Sequence, residues 1–338
     1  MSRTERLETL LDAANDHLDE GDLESARAKH ALAARIDRRN PDVLCLDAQL
    51  TALEGDVERG LELAQQALEI APEHVHALLT VADLALGIDP EMAVEHARKA
   101  ADLVEDEGDL VAAILLLADG LCQTDRAEEA RVVLGELSSS AIDEPAVILD
   151  IAGALLNAED PTTAEVWLRR LVPTEDEYTA HAWHLIGSAR EAKGDKAGMV
   201  AAWREVLGRD RAAPWEPVLT DDALEEIASA ALEELPEDVR ARLANVPILI
   251  EDLPSDHLIE DGWDPRLLGL FDGTPLPEQS SVGGAPTITT IHLFRKNIER
   301  AGDGDPEAIA EEVRITVLHE TAHYFGLDDD DLERLGLD

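Results

Sequence analysis

Small and apolar residues recur in pairs, seven positions apart, down the first two thirds of the chain. The pairs are Ala26 and Ala33, Gly60 and Ala67, Ala93 and Ala100, Ala130 and Leu137, Ala164 and Leu171, and Met199 and Val206. Successive pairs start 34, 33, 37, 34 and 35 residues apart. A period of that length marks stacked helix–turn–helix units. Small residues belong where the two helices of a unit approach closely. Leucines such as Leu44, Leu46, Leu53, Leu61 and Leu68 are expected to fill the space between units. Glu-Gly-Asp at 20–22 and 54–56, and Lys-Gly-Asp at 193–195, precede three of the paired segments. Pro41, Pro72 and Pro90 punctuate helix starts or repeat ends. The pattern predicts an all-α repeat domain over residues 1–213, with about six helical hairpins.

The phase ends near Arg211, and Pro214, Trp215 and Pro217 interrupt helical patterning. A second domain is expected over 218–338. Asp221 and Asp222 open a helix with Leu224, Ile227, Ala228, Ala231 and Leu235 on one stripe. VPILIEDLP reads as a short strand, residues 261–286 as a Gly-, Pro- and Ser-rich loop, and TITTIHLFRKNIE as a second strand. A further helix starts at Asp305 and Pro306, carries Ile309, Val313, Val317 and Thr321 on one face, and stops at Gly326. A short amphipathic segment, Leu332 to Leu335, follows.

Composition narrows the partners. The formal net charge is −46, from 74 acidic and 28 basic residues. Nucleic acid is therefore excluded as a partner and anionic membranes are disfavoured, since phosphate is repelled at every approach. The acid excess either attracts basic segments of a client or serves as a solvating surface. Cys45 and Cys122 lie far apart without C-x-x-C spacing and read as reduced, packed residues. The start, MSRTERLETLLD, lacks the apolar core of a secretory signal. The longest apolar stretch, Leu110 to Ala118, is too short to span a bilayer. A cytoplasmic location is the expectation.

The chemistry concentrates in HETAHYFGLDD, residues 319–329. On a helix, His319 and His323 share one face and can reach a single ion, with Glu320 beside them. That is a zinc site with its own general base. After Gly326 the chain can double back and bring Asp329 to the metal, with Asp328 or Asp330 as alternative third ligands. Tyr324, His292 and Arg295 are candidates by type for an oxyanion donor. His292 and Arg295 suit a strand and its solvated face better. The strand Thr287 to Phe294 is a candidate sheet edge for an extended substrate. No methionine follows Met199, so no methionine turn underlies the metal, and the short tail after Asp329 offers no second cleft wall. Either the cleft is open or the repeats supply that wall.

Two resemblances extend this reading. The segment GDVERGLELAQQALEIAP resembles tetratricopeptide repeats, which implies a solenoid whose concave face binds a protein partner. Residues 221–338 resemble the bacterial minimal zincin-like metallopeptidase family. The likeness runs through LEEIASAALEELPEDVRARLANVPILIEDLP, DPRLLGLFDGTPL, ITTIHLFRKNIER and EEVRITVLHETAHYFGLDDDDLERLG. It implies a small α+β zincin-like domain binding Zn2+, with His319 and His323 as ligands and Glu320 as base. The H-E-x-x-H-x-x-G-x-x-D spacing implies Asp329 as third ligand. Tyr324 stands where relatives commonly repeat histidine. The expected function is zinc-dependent hydrolysis of a protein or peptide substrate by a metal-activated water, the repeats recruiting or restricting substrate. The alternative is a repeat-based adaptor with a structural or weakly active zinc site.

Overall fold

The computed structural model describes residues 2–139, 142–243, 246–273 and 289–327. It divides into two compact units, 1–185 and 186–338.

The first unit is all helical. Helices α1 (Arg3–Asp19), α2 (Leu23–Asp37), α3 (Pro41–Leu53), α4 (Val57–Ile70), α5 (Val75–Ala85) and α6 (Pro90–Leu103) follow one another in hairpins. Helices α7 (Glu107–Gln123), α8 (Ala127–Leu134), α9 (Pro145–Asn157) and α10 (Pro161–Leu168) continue the pattern. Helix α11 (Thr179–Ala192) carries the boundary between the units, and α12 (Lys196–Ala212) lies in the second.

The recurring Gly-Asp pair has a local cause. Gly21, Gly55 and Gly194 adopt φ of 74°, 99° and 71° between the helices of a hairpin, a region that only glycine enters without a Cβ penalty. The next residue, Asp22, Asp56 or Asp195, then caps the second helix by accepting a backbone N–H in its first turn. Pro41 and Pro90 occupy the first turn of α3 and α6, where a missing N–H costs nothing. The paired positions from Ala26 to Val206 are buried, as close helix approach requires. Leu46 and Leu61 are buried and Leu44 and Leu68 pack against the core, but Leu53 is 60% exposed and fills no inter-unit space.

The second unit builds an α+β domain after α12. It contains α13 (Asp221–Glu233), α14 (Glu237–Leu243), β1 (Ile248–Glu251), α15 (Asp256–Asp261), β2 (Gly269–Asp272), β3 (Thr290–Phe294), α16 (Arg295–Ala301) and α17 (Pro306–Tyr324). The sheet order is β1-β3-β2, with β1 parallel and β2 antiparallel to β3. Leu224, Ala228 and Ala231 of α13 form one core with Ile291 and Leu293 of β3, Ile298 of α16, and Ile309, Val313 and Val317 of α17.

Three expectations change. Residues 269–272, inside the expected loop, form β2. The second half of TITTIHLFRKNIE is helix α16 rather than strand, because Asn297 and Glu299 are drawn inward by hydrogen bonds. The Asn297 amide donates to Pro265 O and Leu267 O, both at 2.9 Å, and the Glu299 carboxylate accepts from Trp215, Val218 and Leu219. Strand β3 is the centre of the sheet and not an edge for substrate; among the described residues β2 is an edge strand instead.

Helix α12 is tied into the same unit. The Asp210 carboxylate lies 3.0 Å from Arg300 and 3.5 Å from Arg266, and Lys296 donates to the Asp210 carbonyl. Arg211 pairs with Asp256 at 2.8 Å, and Lys196 donates to Asp261 O at 2.9 Å.

Candidate metal centre and cleft

Helix α17 starts as its sequence requires. Asp305 accepts the N–H groups of Glu307 and Ala308, and Pro306 follows. Ile309, Val313, Val317 and Thr321 face the core, which turns Glu312, Ile315, Thr316, His319, Glu320 and His323 toward a cleft. The helix ends where Gly326 takes φ 85°, with Leu327 N–H closing on Ala322 O at 3.2 Å.

The two imidazoles converge. His319 Nε2 and His323 Nε2 stand 3.0 Å apart, with ring centroids 4.7 Å apart at 83°. His323 Nδ1 lies 2.9 Å from Leu327 O. A carbonyl only accepts, so Nδ1 carries the proton and His323 presents a lone pair on Nε2. Zinc–nitrogen bonds of about 2.0–2.1 Å in a tetrahedral shell set two donors about 3.3 Å apart. The pair fits one such ion. Among the described residues, no group of three or more His, Cys, Asp and Glu gathers to hold a metal. Asp328, Asp329 and Asp330, the expected third-ligand candidates, lie outside the described residues.

Glu320 is 7% exposed, and one carboxylate oxygen accepts the Phe271 N–H at 2.7 Å. This bond follows from the sheet. Phe294 N–H donates to Leu268 O, so Leu268 and Leu270 face β3 while Gly269 and Phe271 turn their backbone groups outward. Gly269 allows α17 to come this close. A Cβ there would meet Thr316 Cγ2 at 2.5 Å and Glu320 Cγ and Oε1 at 3.0 Å. The cleft between β2 and α17 has a volume of about 630 Å3, and Trp263, Leu267 and Leu268 line it beyond β2.

None of the three oxyanion candidates lines this cleft. Tyr324 is buried against Phe271 and its hydroxyl lies 3.4 Å from Arg242 O. His292 bonds Glu251 at 2.8 Å. Arg295 is buried at the start of α16, paired with Asp221. Sequence reasoning missed Gly269, Phe271 and Trp263, which sit where a loop was expected. The only signal was the apolar run Leu267 to Phe271, short and broken by glycine.

A TPR repeat-containing protein of Pseudomonas aeruginosa is 32% identical over 74 residues, covering 22% of this chain and 70% of that relative. The chain belongs to the TPR repeat-containing proteins. Its helical array is similar to the crystal structure of PilW, a widely conserved type IV pilus biogenesis factor. That likeness has a TM-score of 0.51 and 15% identity, covering 60% of this chain and 92% of that one. The Pseudomonas aeruginosa pilF structure matches at TM-score 0.48 and 15% identity, over 60% of this chain and 91% of that one. In this TPR repeat-containing protein, residues 243–337 match the family described as zincin-like metallopeptidase. The chain thus combines tetratricopeptide-like helices with a small zincin-like α+β domain. Among the described residues no helix is long and apolar enough to cross a membrane.

Proposed function

We propose that the zincin-like domain is a zinc-dependent peptidase acting on extended polypeptide, and that the repeats recruit or restrict its substrate. The observation that carries this reading is the meeting of three side chains at one cleft. Two imidazole nitrogens stand 3.0 Å apart and the Glu320 carboxylate lies beside them. His319 and His323 would hold Zn2+, with Asp329 as third ligand. When bound, the ion supplies Lewis acidity that polarises a carbonyl and makes water a stronger acid.

Glu320 takes a proton from the attacking water and returns it to the leaving amine. The Phe271 N–H steadies one of its oxygens for that exchange. The Leu327 carbonyl fixes the His323 tautomer, which keeps Nε2 available. An extended substrate adds to the outward Gly269 N–H and C=O and to the Phe271 carbonyl on edge strand β2, the Phe271 N–H being held by Glu320. In the first unit the tetratricopeptide-like helices offer a concave face to a protein partner.

The test uses metal analysis beside a peptide-library cleavage profile. His319→Ala loses stoichiometric zinc, whereas Glu320→Ala keeps zinc and loses turnover. Cleavage by Glu320→Ala at the wild-type rate would remove the general-base assignment. A four-ligand zinc site without cleavage would mark the domain as structural and the protein as an adaptor. Among Asp328→Asn, Asp329→Asn and Asp330→Asn, the loss of zinc affinity is expected to be largest at Asp329.

A further inference from the structure

The cleft has two ends. Gly269 packs beside Thr316 and Glu320, and Phe271 beside Glu320 and Tyr324, so β2 and α17 run in the same direction. A substrate strand pairing antiparallel with β2, the more stable ladder, therefore sends its carboxyl side toward Ile315 and Glu312. That end is apolar. Trp263 is 48% exposed, a large apolar surface left in solvent beside Leu267 and Ile315. Glu312 lies beyond it. The cleft lining contains no Lys or Arg among the described residues, and its acidic members are Glu312 and Glu320. Ile315 and Glu312 are one turn apart, about 4.5 Å along the helix axis. Same-side residues of an extended peptide are about 6.7 Å apart, and a Lys or Arg stem spans the difference.

We propose that the cleft selects peptides with a large apolar residue on the carboxyl side of the cut bond and a Lys or Arg two residues further on. Trp263 and Ile315 hold the first, and Glu312 pairs with the second. The inference rests on the peptidase reading for the position of the cut bond, not for the recognition itself.

Fluorescein-labelled decapeptides that differ only by Arg, Ala or Glu at the outer position test it. Anisotropy on full-length Glu320→Gln protein reads binding, and the wild-type cleavage profile reads selection. The Arg peptide is expected to bind about fivefold more tightly than the Ala peptide, the scale of one partly exposed ion pair. Adding Glu312→Lys reverses the order, and Trp263→Ala removes the preference for the large apolar residue. Equal affinity for the Arg and Glu peptides, or an order unchanged by Glu312→Lys, overturns the proposal. If these binding preferences hold while wild type cleaves nothing, recognition stands and the peptidase reading falls. If cleavage depends on Glu320 but ignores the charge, the recognition falls and the peptidase stands.

Discussion

Gly269→Ala adds one carbon at the point where β2 meets α17. The new methyl would lie 2.5 Å from Thr316 Cγ2 and 3.0 Å from Glu320 Cγ and Oε1. Carbon atoms are comfortable at about 3.5–4.0 Å, so strand and helix must separate by most of an ångström or Glu320 must leave its place. Overpacking of this size costs about 1–3 kcal/mol. For a unit of this size that is a melting-temperature loss of about 4–8 °C at the midpoint of the range. Differential scanning calorimetry reads the loss, and cleavage or peptide binding reads the displaced carboxylate. Thr316→Ser removes the clashing methyl, so the double variant should recover part of the loss. A coupling above about 0.5 kcal/mol in the cycle is expected. An unchanged melting temperature with strictly additive effects would refute the close packing of β2 on α17.

Three further outcomes follow from the same geometry. Asp210→Ala leaves Arg266, already pushed down by burial and held up in part by Asp210, without its nearest carboxylate; because Arg300 is partly exposed, we expect a loss of about 2 kcal/mol in urea unfolding, and an unchanged midpoint would contradict it. Asp42 accepts from His76 at 3.4 Å and lies 3.2 Å from His74, and the His76 bond, helped by His74, holds its carboxyl below the usual range. Its stabilisation is present above the ordinary carboxylate range and is lost as pH falls through the lowered value, so Asp42→Asn should narrow the gap in urea midpoint between pH 7 and pH 3; equal gaps would exclude it. Burial pushes the Cys45 thiol up to about 12 and raises the half-buried Cys122 as well; iodoacetamide at pH 8 should modify Cys45 only after unfolding, and rapid native labelling would contradict the packing.

The repeats were legible because their information is local and periodic. A small residue at most close approaches recurs every 33 to 37 residues, an aspartate caps the second helix at Asp22, Asp56, Asp89, Asp160 and Asp195, and α17 announced its own cap, core face and stop. The C-terminal sheet was less legible. Strand β2 is four residues long and begins with glycine, which in isolation signals a loop. What makes it a strand is tertiary: pairing with β3 and room for Glu320 beside a missing side chain. Likewise, alternation runs smoothly from β3 into Arg295, and only the distant partners of Asn297 and Glu299 turn that segment into helix. Arg295 and His292 were chosen for their chemistry, yet each is engaged by an acidic residue away from the cleft. The imidazole pair was readable because the helix fixes its spacing. The strand that frames it was not, because its role depends on contacts about 50 residues away.

Zinc K-edge absorption spectroscopy on the full-length protein tests the central claim most directly. Two imidazole donors and light oxygen donors around one ion per chain are predicted, falling to a single imidazole or to no bound ion in His323→Ala. A purified chain that retains no zinc, or zinc whose spectrum lacks imidazole and is unchanged by His323→Ala, would contradict it.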